Sequence, residues 1–348
     1  MRLAVISTYY PSENNADSMF VHQRIKEYVK RGHDVCVFKK GSGYYEYENV
    51  KVIGDSIKGT IDGVKVFNPD AILIHAPSPI YASWMYPFFS KYPIITWIHG
   101  YEVMKSEYYN EKWYQTLGKL WLNKMMIKKS NKIIAVSNWM KQVVINNMNI
   151  NPEKIVVIPN HIEDFFEYEK RDFSENKYIS VRNFGAKYGL DLSQDATRYL
   201  GTNTYKIIGR GTDNQYNELK RLNPNTEIFK GHLSHEELMK EMKKYNCFIA
   251  PSREEAQGVA MCEAMRMGMN VIATDIGGIP EFVIDGETGI VCGDHVSGLI
   301  YAIKKYESMS EKEKQEMSKK ASDFVYKNLD KNMLINKELS EIERCLFG

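Results

Sequence analysis

Short runs rich in valine, isoleucine and leucine alternate along this chain with longer segments whose apolar residues recur at helical spacing. Leu3 to Ile6, Val35 to Phe38, Ala71 to Ile74, Ile94 to Trp97 and Ile133 to Val136 are almost wholly apolar, the pattern of parallel strands buried on both faces. Between the first two runs, Phe20, Val21, Ile25, Tyr28 and Val29 fit one face of a helix over Phe20 to Lys30 that Arg31-Gly32-His33 ends, which predicts a βαβ unit. After a break near Ile158-Pro159-Asn160 a second series follows: Tyr178 to Val181, Tyr205 to Ile208, Cys247 to Ala250, Val271 to Ala273 and Ile290 to Cys292. The polar stretch from Asn160 to Asn176, with the charged run Glu167 to Asp172, is the predicted linker. Ser310 to Cys345 is helix-prone, with Met317, Ala321, Phe324, Val325, Leu334, Ile335 and Leu339 periodic and no strand of its own. The fold class is therefore α/β, with two doubly wound parallel sheets, each expected to bind ligands at the carboxyl ends of its strands.

A length of 348 residues agrees with two cores of ordinary size, and a hydrophobic fraction of 43% can fill both. A net charge of +2 provides no overall field, so nucleic acid is not an expected partner. The 5 cysteines are scattered, odd in number and without Cys-x-x-Cys spacing, which suits a reducing cytoplasm and buried apolar roles. The opening Met1-Arg2-Leu3-Ala4-Val5-Ile6-Ser7 is too short in its apolar part for a signal peptide and reads as a first strand. No apolar run approaches the ~18 to 20 residues that cross a bilayer. The expected location is cytoplasmic, with any membrane contact peripheral to the inner face.

The chemistry-bearing stretch is Pro251-Ser252-Arg253-Glu254-Glu255-Ala256-Gln257-Gly258-Val259-Ala260-Met261-Cys262-Glu263-Ala264-Met265, directly after the Cys247 run. It reads as strand, loop and helix start. Glu255 falls in the loop and Glu263 in the helix beginning near Gly258. Gly258 allows close backbone approach, and the N–H groups of Val259 and Ala260 at a helix N-terminus can cradle a phosphate. From spacing alone, two glutamates at this distance are usually a solvated face rather than a ligand site.

This stretch resembles the Glu-x7-Glu signature of glycosyltransferase family 4: Pro-Ser-x-x-Glu, a glycine, then Glu-Ala-Met. The resemblance continues through Gly277-Gly278-Ile279-Pro280-Glu281 and Gly286-Glu287-Thr288-Gly289 downstream. Upstream, Arg182 and Lys187 keep the spacing of the family's two cations on the donor diphosphate, and two fixed cations suit two phosphates. Trp97-Ile98-His99-Gly100 looks like the family's strand-end His-Gly motif, whose histidine faces the reacting sugar. Ala135-Val136-Ser137 and Val157-Ile158-Pro159-Asn160 resemble markers at the end of the first domain. There are two departures. Asn160-His161-Ile162-Glu163 lacks the usual glycine of its turn, and Asp17-Ser18 stands in the first loop where many relatives carry glycines.

The resemblance implies a GT-B fold, two Rossmann-like domains facing a cleft. Residues 1–165 would bind acceptor, residues 166–325 would bind the nucleotide-sugar donor, and a C-terminal helix at about 326–348 would pack back on the first domain. The implied reaction is retaining transfer of a sugar from a UDP- or GDP-sugar to a saccharide or lipid-linked acceptor, of the kind used in cell-surface polysaccharide synthesis. Glu263 would hold the ribose and Glu255 the sugar. Arg182, Lys187 and the helix end would stabilise the leaving diphosphate. No cofactor is expected, and with no Asp-x-Asp in the sequence no metal is expected either. Gly209-Arg210-Gly211 lacks the remaining features of a dinucleotide fingerprint and reads as a tight turn at the donor pocket, which makes a nicotinamide dehydrogenase a remote reading. An epimerase, a phosphorylase or a catalytically silent nucleotide-sugar-binding subunit could use the same fold.

The stretch Lys112 to Lys132 places Trp113, Leu117, Leu120, Trp121 and Met125 along one helix face, with Lys112, Lys119, Lys124, Lys128 and Lys129 around it. It fits either a helix lying on an anionic membrane or one packed into the core with solvated lysines. The commoner arrangement, core packing, is expected.

Overall fold

The computed structural model describes residues 1–12, 18–41, 43–75, 91–109, 111–202 and 204–348. Glu13 to Asp17, at the centre of the glycine-poor first loop, lie outside them. The chain divides into two compact units, Met1–Asn160 with Asn332–Gly348, and His161–Lys331.

The first unit contains β1 (Arg2–Ser7), α1 (Met19–Lys30), β2 (Asp34–Lys40), β3 (Gly43–Tyr47), β4 (Val50–Asp55), α2 (Ile57–Phe67), β5 (Ala71–His75) and β6 (Ile94–Ile98). There follow α3 (Trp113–Lys129), β7 (Lys132–Ala135), α4 (Asn138–Met148) and β8 (Ile155–Val157). The sheet order is β3-β4-β2-β1-β5-β6-β7-β8. The apolar runs read from sequence form its buried centre. All pairs are parallel except β3 with β4, a hairpin whose two turn residues, Glu48 and Asn49, both have positive φ. This pair escapes the pattern of wholly apolar runs because the edge strand β3, Gly-Tyr-Tyr-Glu-Tyr, is mostly exposed and β4 buries only alternate residues. Side chains cap the helices where the sequence changes period: Ser56 Oγ accepts from the Gly59 N–H and Ser137 Oγ from the Met140 N–H.

The second unit contains β9 (Tyr178–Val181), α5 (Leu190–Leu200), β10 (Tyr205–Gly209), α6 (Asp213–Leu222), β11 (Glu227–Lys230) and α7 (His235–Met242). It continues with β12 (Cys247–Ala250), α8 (Val259–Arg266), β13 (Asn270–Thr274), β14 (Ile290–Cys292), α9 (Val296–Ser308) and α10 (Glu311–Asn328). Its parallel sheet runs β11-β10-β9-β12-β13-β14, so the strand order reverses between β9 and β12. That reversal opens a crevice at the strands' carboxyl ends. Behind it, α10 supports α8 and β13: Ser322 Oγ donates to the Arg266 carbonyl at 2.9 Å and Ser318 Oγ to the Gly268 carbonyl at 2.7 Å.

The helix-prone C-terminal stretch is two helices, broken at Leu329-Asp330, where Asp330 bridges to Ile162. The last, α11 (Lys331–Phe347), belongs from Asn332 onward to the first unit. There Glu338 is buried against Arg24, whose Nε lies 2.8 Å from its Oε1, and accepts from the Tyr28 hydroxyl at 2.5 Å. The same guanidinium donates through Nη2 to Asn160 Oδ1 at 3.2 Å.

Two expectations need correction. The division falls at Asn160/His161 and Lys331/Asn332 rather than at 165/166 and 325/326, and the polar stretch read as linker is part of the second unit. Two of its charges are used inward: Glu163 pairs with His161 at 3.0 Å and Lys331 at 3.2 Å, and the buried Arg171 donates to the Met267 carbonyl at 2.9 Å, while Glu167, Glu169, Lys170 and Asp172 stay exposed. The composition resembles that of a solvated linker because most of these charges are solvated and the partners that hold Glu163 and Arg171 to the unit, Lys331 and the Met267 carbonyl, lie far away in sequence. The second correction concerns α3, whose Trp113, Leu117, Trp121 and Met125 are exposed rather than packed into the core.

Candidate functional site

Three loops meet at the reversal point of the second sheet. Arg182 follows β9 directly and is buried, with its N–H bonded to the Ile208 carbonyl. Glu255 lies in the loop after β12, and its Oε2 is 3.2 Å from Arg182 Nη1. Gly258, with the positive φ of +79° that favours glycine, turns the chain into α8 beside both groups, where a Cβ would be in ordinary contact at 3.4 Å from Arg182 Nη2 and 3.5 Å from Glu255 Cγ. Sequence-distant residues are thus gathered around one short helix end.

The loop after β12 is held from both sides. The Arg253 N–H donates to the Lys187 carbonyl at 2.8 Å, and the Arg253 guanidinium forms a fork with Asp191 at 2.7 and 2.5 Å. On the other side, the Gly278 N–H donates to the Glu255 carbonyl at 2.9 Å, and a Cβ on Gly277 would lie 2.2 Å from that same oxygen. The Gly-Gly motif read from sequence therefore positions the backbone of Glu255. Gly189, to which no motif assigned a role, packs against Pro251 so closely that a Cβ would lie 1.9 Å from its carbonyl oxygen. At Gly209 a Cβ would be 1.8 Å from the Arg182 carbonyl, so the tight turn read from sequence brings the end of β10 against that of β9.

The electrostatics fit an anion. Among the described residues, Arg182 makes one ion pair, while its buried Nε and Nη2 have no hydrogen-bond partner. No side chain caps α8, and the first intrahelical donor among its bonds is the Cys262 N–H, so the Val259 and Ala260 N–H groups lie at an uncovered, positively polarised end. Lys187 is half-buried, its ammonium over the Tyr188 ring at 4.9 Å. Glu263 stands in the second turn of α8. Burial raises its pKa to about 7, Arg182 opposes the shift and Glu163 adds to it. Beside Arg182, a cavity of about 270 Å³ opens between Asn183, Tyr188, Gly209, Arg210 and His232. Tyr188 and His232 carried no motif that would have marked them.

In the first unit, His99 follows β6. Its ring stacks on His75 at 5.7 Å, with His75 Nδ1 3.4 Å from His99 Nε2, and Phe20 meets it edge-on at 4.7 Å. Burial and the charge of Arg24 lower the His99 pKa to about 3 and hold that of His75 well below its usual value, so both rings are neutral near pH 7. His75 ends the Ala71 run much as His99 follows the Ile94 run, a parallel that no motif marked. Arg182, Glu255, Gly258 and Gly209 come together within the second unit, whereas His99 belongs to the first.

Residues 18–164 match the model of Glycosyltransferase Family 4, and residues 161–324 match Glycosyl transferases group 1. An uncharacterized glycosyltransferase of Methanocaldococcus jannaschii is 30% identical over 171 residues, 47% of this chain and 45% of that protein. A phosphatidylinositol N-acetylglucosaminyltransferase component of Saccharomyces cerevisiae is 26% identical over 212 residues, 55% of this chain and 47% of that protein. The chain thus spans under half the length of these two relatives. A sucrose-phosphate synthase from Thermosynechococcus elongatus has the same fold, with TM-score 0.84 at 15% identity over 99% of both chains. So does the Anabaena protein HepE, solved in complex with UDP-glucose, with TM-score 0.79 at 15% identity over 98% of this chain and 100% of that one. With the signature motif gathered at one sheet reversal and the two family models together running from residue 18 to residue 324, the chain belongs to glycosyltransferase family 4 and has the GT-B fold.

Proposed function

We propose that this protein transfers a sugar from a UDP- or GDP-sugar to a saccharide or lipid-linked acceptor, with retention of anomeric configuration and without a metal ion. The observation that carries the reading is the convergence of Arg182, Glu255 and the uncapped α8 N-terminus at the β9/β12 reversal, with two guanidinium nitrogens unpartnered among the described residues. Such a set suits a diphosphate: Arg182 and Lys187 oppose its charge and the Val259 and Ala260 N–H groups bind its oxygens. Glu263 accepts from the ribose hydroxyls, Glu255 from hydroxyls of the transferred sugar, and the base occupies the cavity beside Gly209. His99, neutral at the end of β6, hydrogen-bonds a sugar hydroxyl rather than supplying charge.

In the reaction, the bond from the anomeric carbon to the diphosphate oxygen breaks as the acceptor oxygen bonds that carbon from the same face. The acceptor's proton passes to the departing phosphate oxygen. The protein's largest contribution is stabilisation of the leaving diphosphate, which becomes more negative as the bond lengthens. A UDP-sugar is the first donor to test, because HepE of the same fold was solved with UDP-glucose.

The test is a thermal-shift series with UDP, GDP, ADP and their sugar conjugates on the parent and Glu263→Ala, followed by product analysis with chelator present. One nucleotide should stabilise the parent selectively and the variant much less, and transfer should persist with the chelator. Interconversion of the donor sugar without an acceptor would instead favour an epimerase. Binding without turnover over a broad set of acceptors would favour a silent nucleotide-sugar-binding protein.

A further inference from the structure

Helix α3 is turned inside out relative to an ordinary surface helix. Thr116, Lys119 and Asn123 face inward with Met126 and Ile127, and each donates a hydrogen bond there. Lys119 Nζ lies 2.8 Å from Glu111 Oε2, Thr116 Oγ1 is 3.1 Å from the same oxygen, and Asn123 Nδ2 donates to the Glu102 carbonyl at 2.7 Å. Outward, every fourth position carries a large apolar side chain: Trp113 is 75% exposed, Leu117 53%, Trp121 61% and Met125 45%, with Tyr114 beside them. Inward hydrogen bonds fix the helix's rotation, so the apolar stripe cannot roll into the core without leaving buried polar groups unsatisfied.

The charge on this helix has one sign. Trp113–Lys129 contains no aspartate or glutamate, while Lys124 and Lys128 share the outward arc, and Lys112 and Lys129 stand at the two ends. Tryptophan, leucine and methionine interleaved with Lys124 and Lys128 on one face suit the boundary between lipid headgroups and acyl chains, where indole rings sit well and lysine stems reach up so that ammonium groups meet phosphates. A second copy of the chain is a poorer occupant. Two-fold pairing through this face would set lysine-bearing helices against each other with no acidic residue on either helix to offset them.

We propose that the exposed face of α3 docks the protein on a membrane surface containing anionic phospholipid, with Trp113, Leu117, Trp121 and Met125 inserted and Lys112, Lys124, Lys128 and Lys129 on the headgroups. The interaction is interfacial: among the described residues, no helix is long and apolar enough to cross a membrane. It is independent of the donor site and holds whichever nucleotide is bound. Attraction to the headgroups is screened by salt, whereas insertion of the stripe is not, so the two parts of the interaction separate experimentally.

The test is flotation of the full chain with vesicles of phosphatidylcholine alone or mixed with phosphatidylglycerol, at low and high salt. Trp113→Ser/Trp121→Ser and Lys124→Gln/Lys128→Gln are compared with the parent. The parent should float with mixed vesicles at low salt and much less with phosphatidylcholine alone. Each lysine removed should weaken binding about fivefold at low salt. The double tryptophan variant should lose binding at both salts, with its thermal midpoint and nucleotide-induced shift unchanged, because its side chains lie outside the core and outside the donor site. Absence of flotation with any vesicle would overturn the proposal, as would binding equal in parent and variants. A concentration-dependent dimer abolished by Trp113→Ser/Trp121→Ser would assign the face to a second copy instead.

Discussion

In the proposed site Glu263 would accept from two ribose hydroxyls, a task for the ionised carboxylate, and burial raises its pKa to about 7. In the proposed site, nucleotide affinity should therefore rise as pH increases through about 7, and Glu263→Gln should bind weakly with a flat profile; isothermal titration across that range measures both. Stability carries the opposite sign. The folded pKa exceeds the unfolded one, so the protonated carboxyl's contribution is complete below about 4.5 and is lost as pH rises to about 7. His99 behaves in the reverse way. Its folded pKa of about 3 lies below the ordinary histidine value, so falling pH destabilises the first unit from about 6.5 downward. Melting curves of the parent, Glu263→Gln and His99→Gln between pH 4 and 8 should separate the two terms, with each variant lacking its own slope.

The elements that matter most for the site are the loops after β9, β12 and β13, and glycine fixes their mutual distance. Gly189 and Gly277 both have positive φ, and a Cβ on either would collide with a backbone carbonyl, Pro251's or Glu255's. Backbone cannot yield as a side-chain tip can, so either alanine variant must shift the loop carrying Glu255. Gly277→Ala should cost about 1 to 3 kcal/mol of stability and, beyond that, abolish most nucleotide-induced stabilisation. Gly286→Ala is the control, because it also has positive φ but open space around its missing Cβ. It should lose about 1 kcal/mol from the backbone conformation alone and keep the nucleotide response.

For the molecule as a whole, the last helix is joined to the first unit through a buried charge pair. Arg24 and Glu338 are wholly buried and 314 positions apart in sequence. Glu338→Ala leaves the guanidinium in the interior with only carbonyl and amide partners, and should cost about 3 to 5 kcal/mol in denaturant unfolding. Arg24→Met with Glu338→Met removes both charges and should recover much of that loss, because desolvation of the ions disappears along with their attraction. Two unfolding transitions, of which only the one reporting the first unit shifts, would agree with the division into units.

Much of the architecture could be read from the chain alone. Every apolar run identified as a strand is one, because a strand buried on both faces leaves a local, contiguous record. The Pro251 to Met265 signature carried the family for the same reason: its glycine and two glutamates occupy one loop and one helix, so their relation is local. What the sequence could not decide were relations between distant positions. The edge hairpin β3–β4, the role of Gly189 against Pro251, the His75–His99 pair and the placement of 161–176 in the second unit each depend on partners that only folding brings close. Helix α3 is the clearest case. Its sequence has an apolar face in either reading, and only the partners of Thr116, Lys119 and Asn123, supplied by Glu111 and the Glu102 backbone, determined that this face points outward. Periodicity says that a helix has two faces; the hydrogen bonds available in the surrounding fold decide which is buried.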